Sequence, residues 1–149
     1  PLGLGQSFQS APPPVVEPQK TEPVKPKGAV TIYSNLAHQF TTTGVINGRI
    51  VNFLVDTGAN VVSMSRKQAQ RLAIDFRTKG KEGSSNTANG IVKNWQVTLD
   101  SVKVGTITLP YVEASIRDTE DDLPILLGMS FLSRVKLEQS GQKMVLTEK

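Results

Sequence analysis

The sequence predicts an all-β domain with one or two short helices, and three observations support this fold class. From Ala29 onward, short segments rich in valine, isoleucine and threonine alternate with turn residues, which is typical of β-strands. Two Asn-Gly pairs, Asn47-Gly48 and Asn89-Gly90, are strong hairpin signals because both residue types tolerate positive φ. The length of 149 residues allows one domain with a single core.

Residues 1–28 are predicted to be a proline-rich linker or tether, and residues 29–149 the folded domain. Seven of the nine prolines lie within the first 26 residues, where they favour extended polyproline conformations and leave little apolar surface to bury. The chain begins at Pro1 without a methionine, so we expect a fragment or processed product with Pro1-Leu2-Gly3 as an expression scar. No apolar run reaches the roughly 18 residues needed to span a bilayer.

The predicted strands are the two arms of the first hairpin and three later segments, at residues 44–46, 49–55, 96–104, 106–109 and 111–116. Gly105 is predicted to be a turn. Pro110 is predicted to interrupt a ladder or to lie at an edge, because proline cannot donate a ladder hydrogen bond. Asn89-Gly90 predicts a second hairpin.

Two short helices are predicted. Ser65 and Gln68 have the spacing of a capping box, and Ala69 and Leu72 give the helix that follows an apolar side. The other helix is predicted from Met129 to about Arg134.

Composition excludes several classes of function. The absence of cysteine excludes disulfides, thiol catalysis and thiolate metal sites. The net charge of +4 is modest and diffuse, so nucleic-acid binding is not expected. The acidic run at residues 118–122 lacks the spacing and glycine of a calcium loop and is predicted to be a solvated loop. His38, the single histidine, is predicted on a strand, with no nucleophile to serve.

The apolar strand that ends at Asp56 is the most informative stretch of the sequence. Phe53-Leu54-Val55 leads directly into Asp56 and a glycine turn. A carboxylate at the end of a buried strand is costly to desolvate, so the protein must use its charge or share a proton on it. A second apolar run that ends in glycine, Pro124 to Gly128, follows about seventy residues downstream.

Together these features resemble the retropepsin-like aspartic proteases, and in particular their single-lobe, membrane-anchored bacterial branch. The resemblance covers about residues 29 to 147 and rests on residues 43–48, 53–59, 87–90 and 126–132. It implies a closed single-lobe β-barrel in which the strand Leu126-Leu127-Gly128 supports the Asp56 loop. It also implies an aspartic endopeptidase held at the inner membrane, with this domain in the periplasm and the anchor outside this chain.

Peptide hydrolysis by carboxylates needs two of them about 3 Å apart, one to take a proton from water and one to polarise the carbonyl. This chain has one Asp-Thr-Gly loop, so a working site requires two chains, with Asp56 from each. The resemblance implies that Gly58 lets the turn close and that the Thr57 hydroxyl bonds to the partner loop. It implies that Ala59 lines the cleft floor, while Asn60 can bond substrate amides without carrying a charge.

The hairpin Thr87-Ala88-Asn89-Gly90 lies where the family has its flap, about 33 residues past Asp56. The alternative is an ordinary surface hairpin. The preceding residues 83–86 are small and polar, which is typical of a mobile segment. Trp95 either braces the base of the flap or simply packs in the core.

The partners implied are a second copy of the chain and an extended peptide or protein substrate. Met129 stands where retroviral enzymes have a dimer-stabilising arginine, so the homodimer is expected to be weak. No metal or cofactor is expected, because water is the only co-reactant. The alternative function is a non-catalytic peptide-binding module of the same fold, which would bind an extended segment by strand pairing.

Overall fold

The computed structural model describes residues 28–149. The predicted linker lies outside these residues except for Gly28, which exchanges hydrogen bonds with Glu148. The described strands are β1 (Ala29–Tyr33), β2 (Thr41–Ile46), β3 (Arg49–Val55), β4 (Val62–Ser65), β5 (Lys81–Thr87), β6 (Gly90–Val104), β7 (Ile107–Arg117), β8 (Ile125–Leu127), β9 (Val135–Ser140) and β10 (Lys143–Glu148). The described helices are α1 (Arg66–Arg71), α2 (Phe76–Lys79) and α3 (Met129–Leu132). Among residues 28–149, no helix has the length and apolar character needed to cross a membrane.

Six strands close into a barrel, and the family resemblance implied such closure. The neighbours follow the order β2, β3, β8, β4, β7 and β6, and β6 returns to pair with β2 through Val104 and Gly44. β5 continues the sheet beyond the barrel by pairing with β6. A separate sheet places β10 between β1 and β9. The fold is therefore a single-lobe closed β-barrel with a three-stranded sheet beside it.

Both predicted hairpins are present, with different turns. At the β2–β3 turn, Asn47 (φ 49°) and Gly48 (φ 85°) both adopt positive φ. At the β5–β6 turn, among residues 87–90, only Gly90 (φ 113°) does so, and the Thr87 hydroxyl donates to the Gly90 carbonyl at 2.7 Å. The Asn-Gly signal predicts the hairpin correctly because it is local in sequence.

The prediction of two strands on either side of Pro110 was wrong, because β7 runs continuously through it. The opposite residue, Ser101, exchanges hydrogen bonds with Asn47 instead of with β7. The backbone of Pro110 therefore faces an edge of β7 that no other strand of residues 28–149 covers, and its carbonyl accepts from Arg134 at 2.8 Å there. Pro110 thus lies at an edge, as predicted, and no ladder hydrogen bond is lost.

Beside Pro110 the inward-facing positions of β6 and β7 shift by one residue. In β6 they change from odd positions such as Leu99 to even positions such as Val102, and β7 makes a matching change before Val112. Tyr111 absorbs the change with a φ of 53°. Because both strands shift together, the pairing register is the same before and after this point.

Both predicted helices are confirmed in position. Ser65 and Gln68 form a reciprocal capping box at the start of α1, and α3 begins at Met129. The sequence reading missed α2, where the Asp75 side chain accepts from the Thr78 N–H at 3.3 Å. His38 was wrongly placed on a strand, since it lies exposed in the turn between β1 and β2 with a φ of 61°.

Candidate active site

Asp56 lies immediately after β3, on the tight turn that it forms with the next residues. Its backbone N–H donates to the Leu127 carbonyl at 3.1 Å, and its carbonyl accepts from the Ala59 N–H at 3.1 Å. One carboxylate oxygen, Oδ1, accepts from the Gly58 N–H at 2.9 Å. Among residues 28–149, Oδ2 has no hydrogen-bond partner. The carboxylate is half-buried and fixed by one oxygen, which leaves the other oxygen available for chemistry.

The Leu126-Leu127-Gly128 segment lies against this turn. β8 pairs in parallel with β3, with Leu127 opposite Val55, and the Met129 N–H donates to the Ala59 carbonyl at 2.8 Å. A Cβ at Gly128 would lie 2.7 Å from the Ala59 carbonyl oxygen and closer still to that of Val61. Glycine is therefore required where β8 passes under the turn.

Ser130, which the sequence reading did not single out, joins three elements behind the turn. Its hydroxyl accepts from the Val62 N–H at 3.1 Å and donates to the Glu113 carbonyl at 2.7 Å. α3 is thereby tied to β4 and β7. The signal available was weak, since a serine in the first turn of a short helix has many possible roles.

A cleft of about 460 Å³ opens beside the turn. Ala59 and Asn60 of the predicted loop line it, together with Val61, Ser63, Gln96, Ser115 and Leu126. The last four come from four different barrel strands, β4, β6, β7 and β8. No local sequence pattern therefore predicts that these four residues are neighbours.

The predicted flap residues form the tip of an arm made by β5 and the start of β6. Residues 83–86, expected to be a mobile segment, belong to the regular strand β5, which pairs with β6 from Lys81 to Thr87. Every β5 residue is exposed, and so is Ile91 near the tip, at 75%. Among the described residues, no hydrogen bond joins the tip to the Asp56 turn.

Trp95 lies in the core at the base of this arm. It is 4% exposed and packs against Phe76 of α2, with ring centroids 4.8 Å apart. The Arg77 guanidinium lies 5.2 Å from the centroid of each ring. The two roles considered for Trp95 thus coincide, because core packing fixes the base of the arm.

The acidic run before β8 is a loop with Asp118, Glu120 and Asp122 exposed, as predicted, and ion pairs also hold it against α1 and β7. Arg66 pairs with Asp118 at 3.2 Å, and Lys67 pairs with Asp122 at 2.8 Å. Arg117 pairs with Asp121 at 2.7 Å. The basic residues of α1 are far from the acidic run in sequence, so only the folded barrel brings the charges together. The loop that leads into β8 is fixed as a result.

The hydrogen bond from the Arg117 guanidinium is the main cause that holds the pKa of Asp121 well below its ordinary range. Partial burial opposes this effect, while the Thr119 hydroxyl and the Leu123 N–H add to it. Hydrogen bonds from Lys67 and Arg71 also lower the pKa of Asp122. These carboxylates therefore stay charged in the folded protein at mildly acidic pH.

Asp121→Asn is expected to lower the free energy of unfolding by about 1–2 kcal/mol at pH 7, because a charge-assisted hydrogen bond is lost. Because its pKa is lowered in the folded state, the charged Asp121 contributes its full stability above the ordinary pKa of about 3.9 for aspartate. This contribution is lost as the pH falls towards the pKa of the folded state. In denaturant titrations, the difference in free energy of unfolding between the wild type and Asp121→Asn should be smaller at pH 3 than at pH 7. Asp100→Asn, at an exposed position, serves as the control. A difference between wild type and Asp121→Asn that does not change with pH would contradict the stabilising role of the charged Asp121.

Comparison with known proteins agrees with this geometry. The sequence model of the family described as "gag-polyprotein putative aspartyl protease" matches residues 42–134, which include the Asp56 turn, the arm and β8. The chain belongs to the retropepsin-like aspartic protease family. This retropepsin-like domain is similar to a crystal structure of a retropepsin-like aspartic protease from Rickettsia conorii, with 31% identity and a TM-score of 0.70. The match covers 81% of this chain and 91% of that one.

Two curated relatives of the retropepsin-like domain have no assigned activity in their names. An uncharacterized protein in the cobV 5′ region of a Sinorhizobium species is 30% identical over 110 residues, 74% of this chain. An uncharacterized protein of Rickettsia prowazekii (strain Madrid E) is 30% identical over 109 residues, 73% of this chain. The chain spans about half the length of these relatives, 47% and 46%.

Proposed function

We propose that the domain is an aspartic endopeptidase that works as a homodimer, with Asp56 of each chain acting on one water. The observation that carries the proposal is the state of the Asp56 carboxylate. Oδ1 is held by the Gly58 N–H at 2.9 Å, Oδ2 has no partner among the described residues, and a cleft opens beside the turn. The family membership supports the same chemistry.

In the proposed dyad, two carboxylates about 3 Å apart cannot both be charged, so they share one proton. The charged carboxylate takes a proton from the water while the oxygen of that water attacks the peptide carbonyl carbon. The protonated carboxyl group gives its proton to the carbonyl oxygen, which produces a diol. The carboxyl group that took the water proton then gives it to the leaving nitrogen, the other carboxylate takes a proton back from the diol, and the carbon–nitrogen bond breaks.

The arm is proposed to close over an extended peptide. Its residues are exposed, and within residues 28–149 β5 pairs with β6 alone, so no other described strand covers the outer edge of β5. Ile91 near the tip is exposed at 75%, and an apolar tip residue would gain burial against a substrate or a second arm. Closure would also exclude water from the reacting bond.

The second carboxylate is proposed to come from a weakly associated partner. Thr57 and Gly58 are exposed, so the turn is accessible to another chain. Met129, where an arginine would strengthen a retroviral-type dimer, is half-buried against the core. Because its thioether side chain is uncharged, Met129 offers no charged group to a partner.

The test is the dependence of peptide hydrolysis on enzyme concentration. Specific activity should rise with concentration while monomers and dimers coexist, because each site needs two chains, and dilution should inactivate reversibly. A hydroxyethylene peptidomimetic should inhibit hydrolysis at every enzyme concentration that shows activity, and a chelator should not inhibit it. Constant specific activity down to a monomer demonstrated by sedimentation would refute the shared dyad. Peptide binding without hydrolysis at any concentration would favour the non-catalytic module.

A further inference from the structure

The cleft beside Asp56 has an apolar side and a polar side. Ser63 of β4 pairs with Leu126 of β8 and with Ser115 of β7, and Ser115 pairs with Gln96 of β6. These four side chains therefore stand in one row on the outward face of the barrel. Leu126 gives the row an apolar end, and Ser63, Ser115 and Gln96, which we call the polar row, make up the rest.

The polar row has unused hydrogen-bonding capacity. Gln96 Nε2 donates to Ser115 Oγ at 3.3 Å, and Arg117 Nη1 donates to Ser63 Oγ at 3.3 Å. Among residues 28–149, neither serine hydroxyl has an acceptor, and Gln96 Oε1 has no donor. The polar row therefore offers two donors and one acceptor to a ligand in the cleft.

The polar row carries no charge of its own. The charged group that contacts it, the Arg117 guanidinium, is engaged by Asp121 through Nε at 3.1 Å and Nη2 at 2.7 Å. A charged substrate side chain would lose hydration without gaining a free counter-charge. An apolar side chain would cover the hydroxyls and the amide and leave them unpaired.

We propose that the polar row is a specificity subsite for an uncharged amide side chain of the substrate, with glutamine the best fit. The methylenes of a glutamine would pack on Leu126, its carbonyl would accept from Ser63 and Ser115, and its amide N–H would donate to Gln96 Oε1. This inference rests on the proposed endopeptidase function. In a two-fold homodimer the subsite occurs twice, so the preference appears on both sides of the cleaved bond.

The test compares glutamine with methionine, which has a similar length but lacks the amide, at each position around the cleaved bond of a peptide. We expect kcat/KM to be about tenfold higher for glutamine at one position on each side. The variant Ser63→Ala/Gln96→Met/Ser115→Ala should reduce this ratio to about one. Thr98→Val is the control, because Thr98 lies on the same face of β6 but bonds to Glu113 at 2.9 Å, and its ratio should stay at the wild-type value.

The outcomes separate this inference from the proposed function. If the domain cleaves peptides but favours glutamine over methionine at no position, the proposed glutamine subsite is wrong, while the proposed endopeptidase function is retained. If the wild type cleaves no peptide, the proposed function fails, and equal affinity for the two peptides in calorimetry would overturn the subsite as well. If the triple variant does not fold, Gln96→Met and Ser115→Ala are measured singly, and an unchanged ratio in both would also overturn it.

Discussion

Replacing Asp56 by asparagine is expected to lower kcat for peptide hydrolysis by at least about a thousandfold, because the dyad loses its proton acceptor. The fold should be unaffected. Asparagine keeps an Oδ1 that can accept from the Gly58 N–H, a bond of 2.9 Å in the wild type, and it removes the need for two close carboxylates to share one proton. Thermal melting should therefore show no loss of stability. Asp100→Asn, on an exposed barrel position, should keep full activity.

Mixing experiments sharpen this result. When excess Asp56→Asn chains exchange with wild-type chains, most wild-type subunits enter heterodimers that have a single carboxylate, and activity should fall in proportion. Asp100→Asn chains added in the same excess should raise activity by driving dimer formation. Near-normal turnover by Asp56→Asn would show that Asp56 is not catalytic.

Gly128→Ala is expected to destabilise the domain by about 3 kcal/mol or more and to remove activity. The added methyl would overlap the carbonyl oxygens of Ala59 and Val61, the first at 2.7 Å. Both belong to the chain that leaves the Asp56 turn, so relief of the overlap must move the turn. A displacement of about 1 Å at a reacting group is enough to cost on the order of a hundredfold in rate.

Gly141→Ala is the matched comparison. Gly141 has a φ of 60° and no atom within 4 Å of an added Cβ, so alanine there meets only backbone strain of about 1–2 kcal/mol. Gly128 has the opposite character, with a φ of −97° and no free space. Urea titrations should rank Gly128→Ala as the more damaging change. Equal losses would mean that the close approach of β8 to the turn does not constrain the site.

The features predicted from sequence are those encoded by neighbouring residues. Asn47-Gly48 specifies its hairpin, and Ser65 with Gln68 specifies the start of α1, because each signal acts within a few residues. The placement of Gly128 beside Asp56 came from the family resemblance, since no local rule pairs two strands so far apart in sequence.

The features that were missed depend on long-range pairing. Separate strands were expected on the two sides of Pro110, but because Ser101 bonds to Asn47, β7 continues through Pro110 at an edge that no other strand of residues 28–149 covers. The polar row joins residues of β4, β6 and β7 that are neighbours only across the sheet. The ion pair between Arg66 and Asp118 likewise requires the barrel.

The pairing of the first described strand with the last has a consequence for the order of events during synthesis. Ala29 pairs with Thr147, and the Asp56 turn is hydrogen-bonded to the backbone of Leu127 and Met129. A growing chain cannot complete these contacts until its later residues have left the ribosome, and such non-local closure is slow. The carboxylate is thus set in place only after nearly all of the domain has been made. In the proposed endopeptidase, an unfinished chain would therefore lack the assembled Asp56 turn that it needs to cleave another chain.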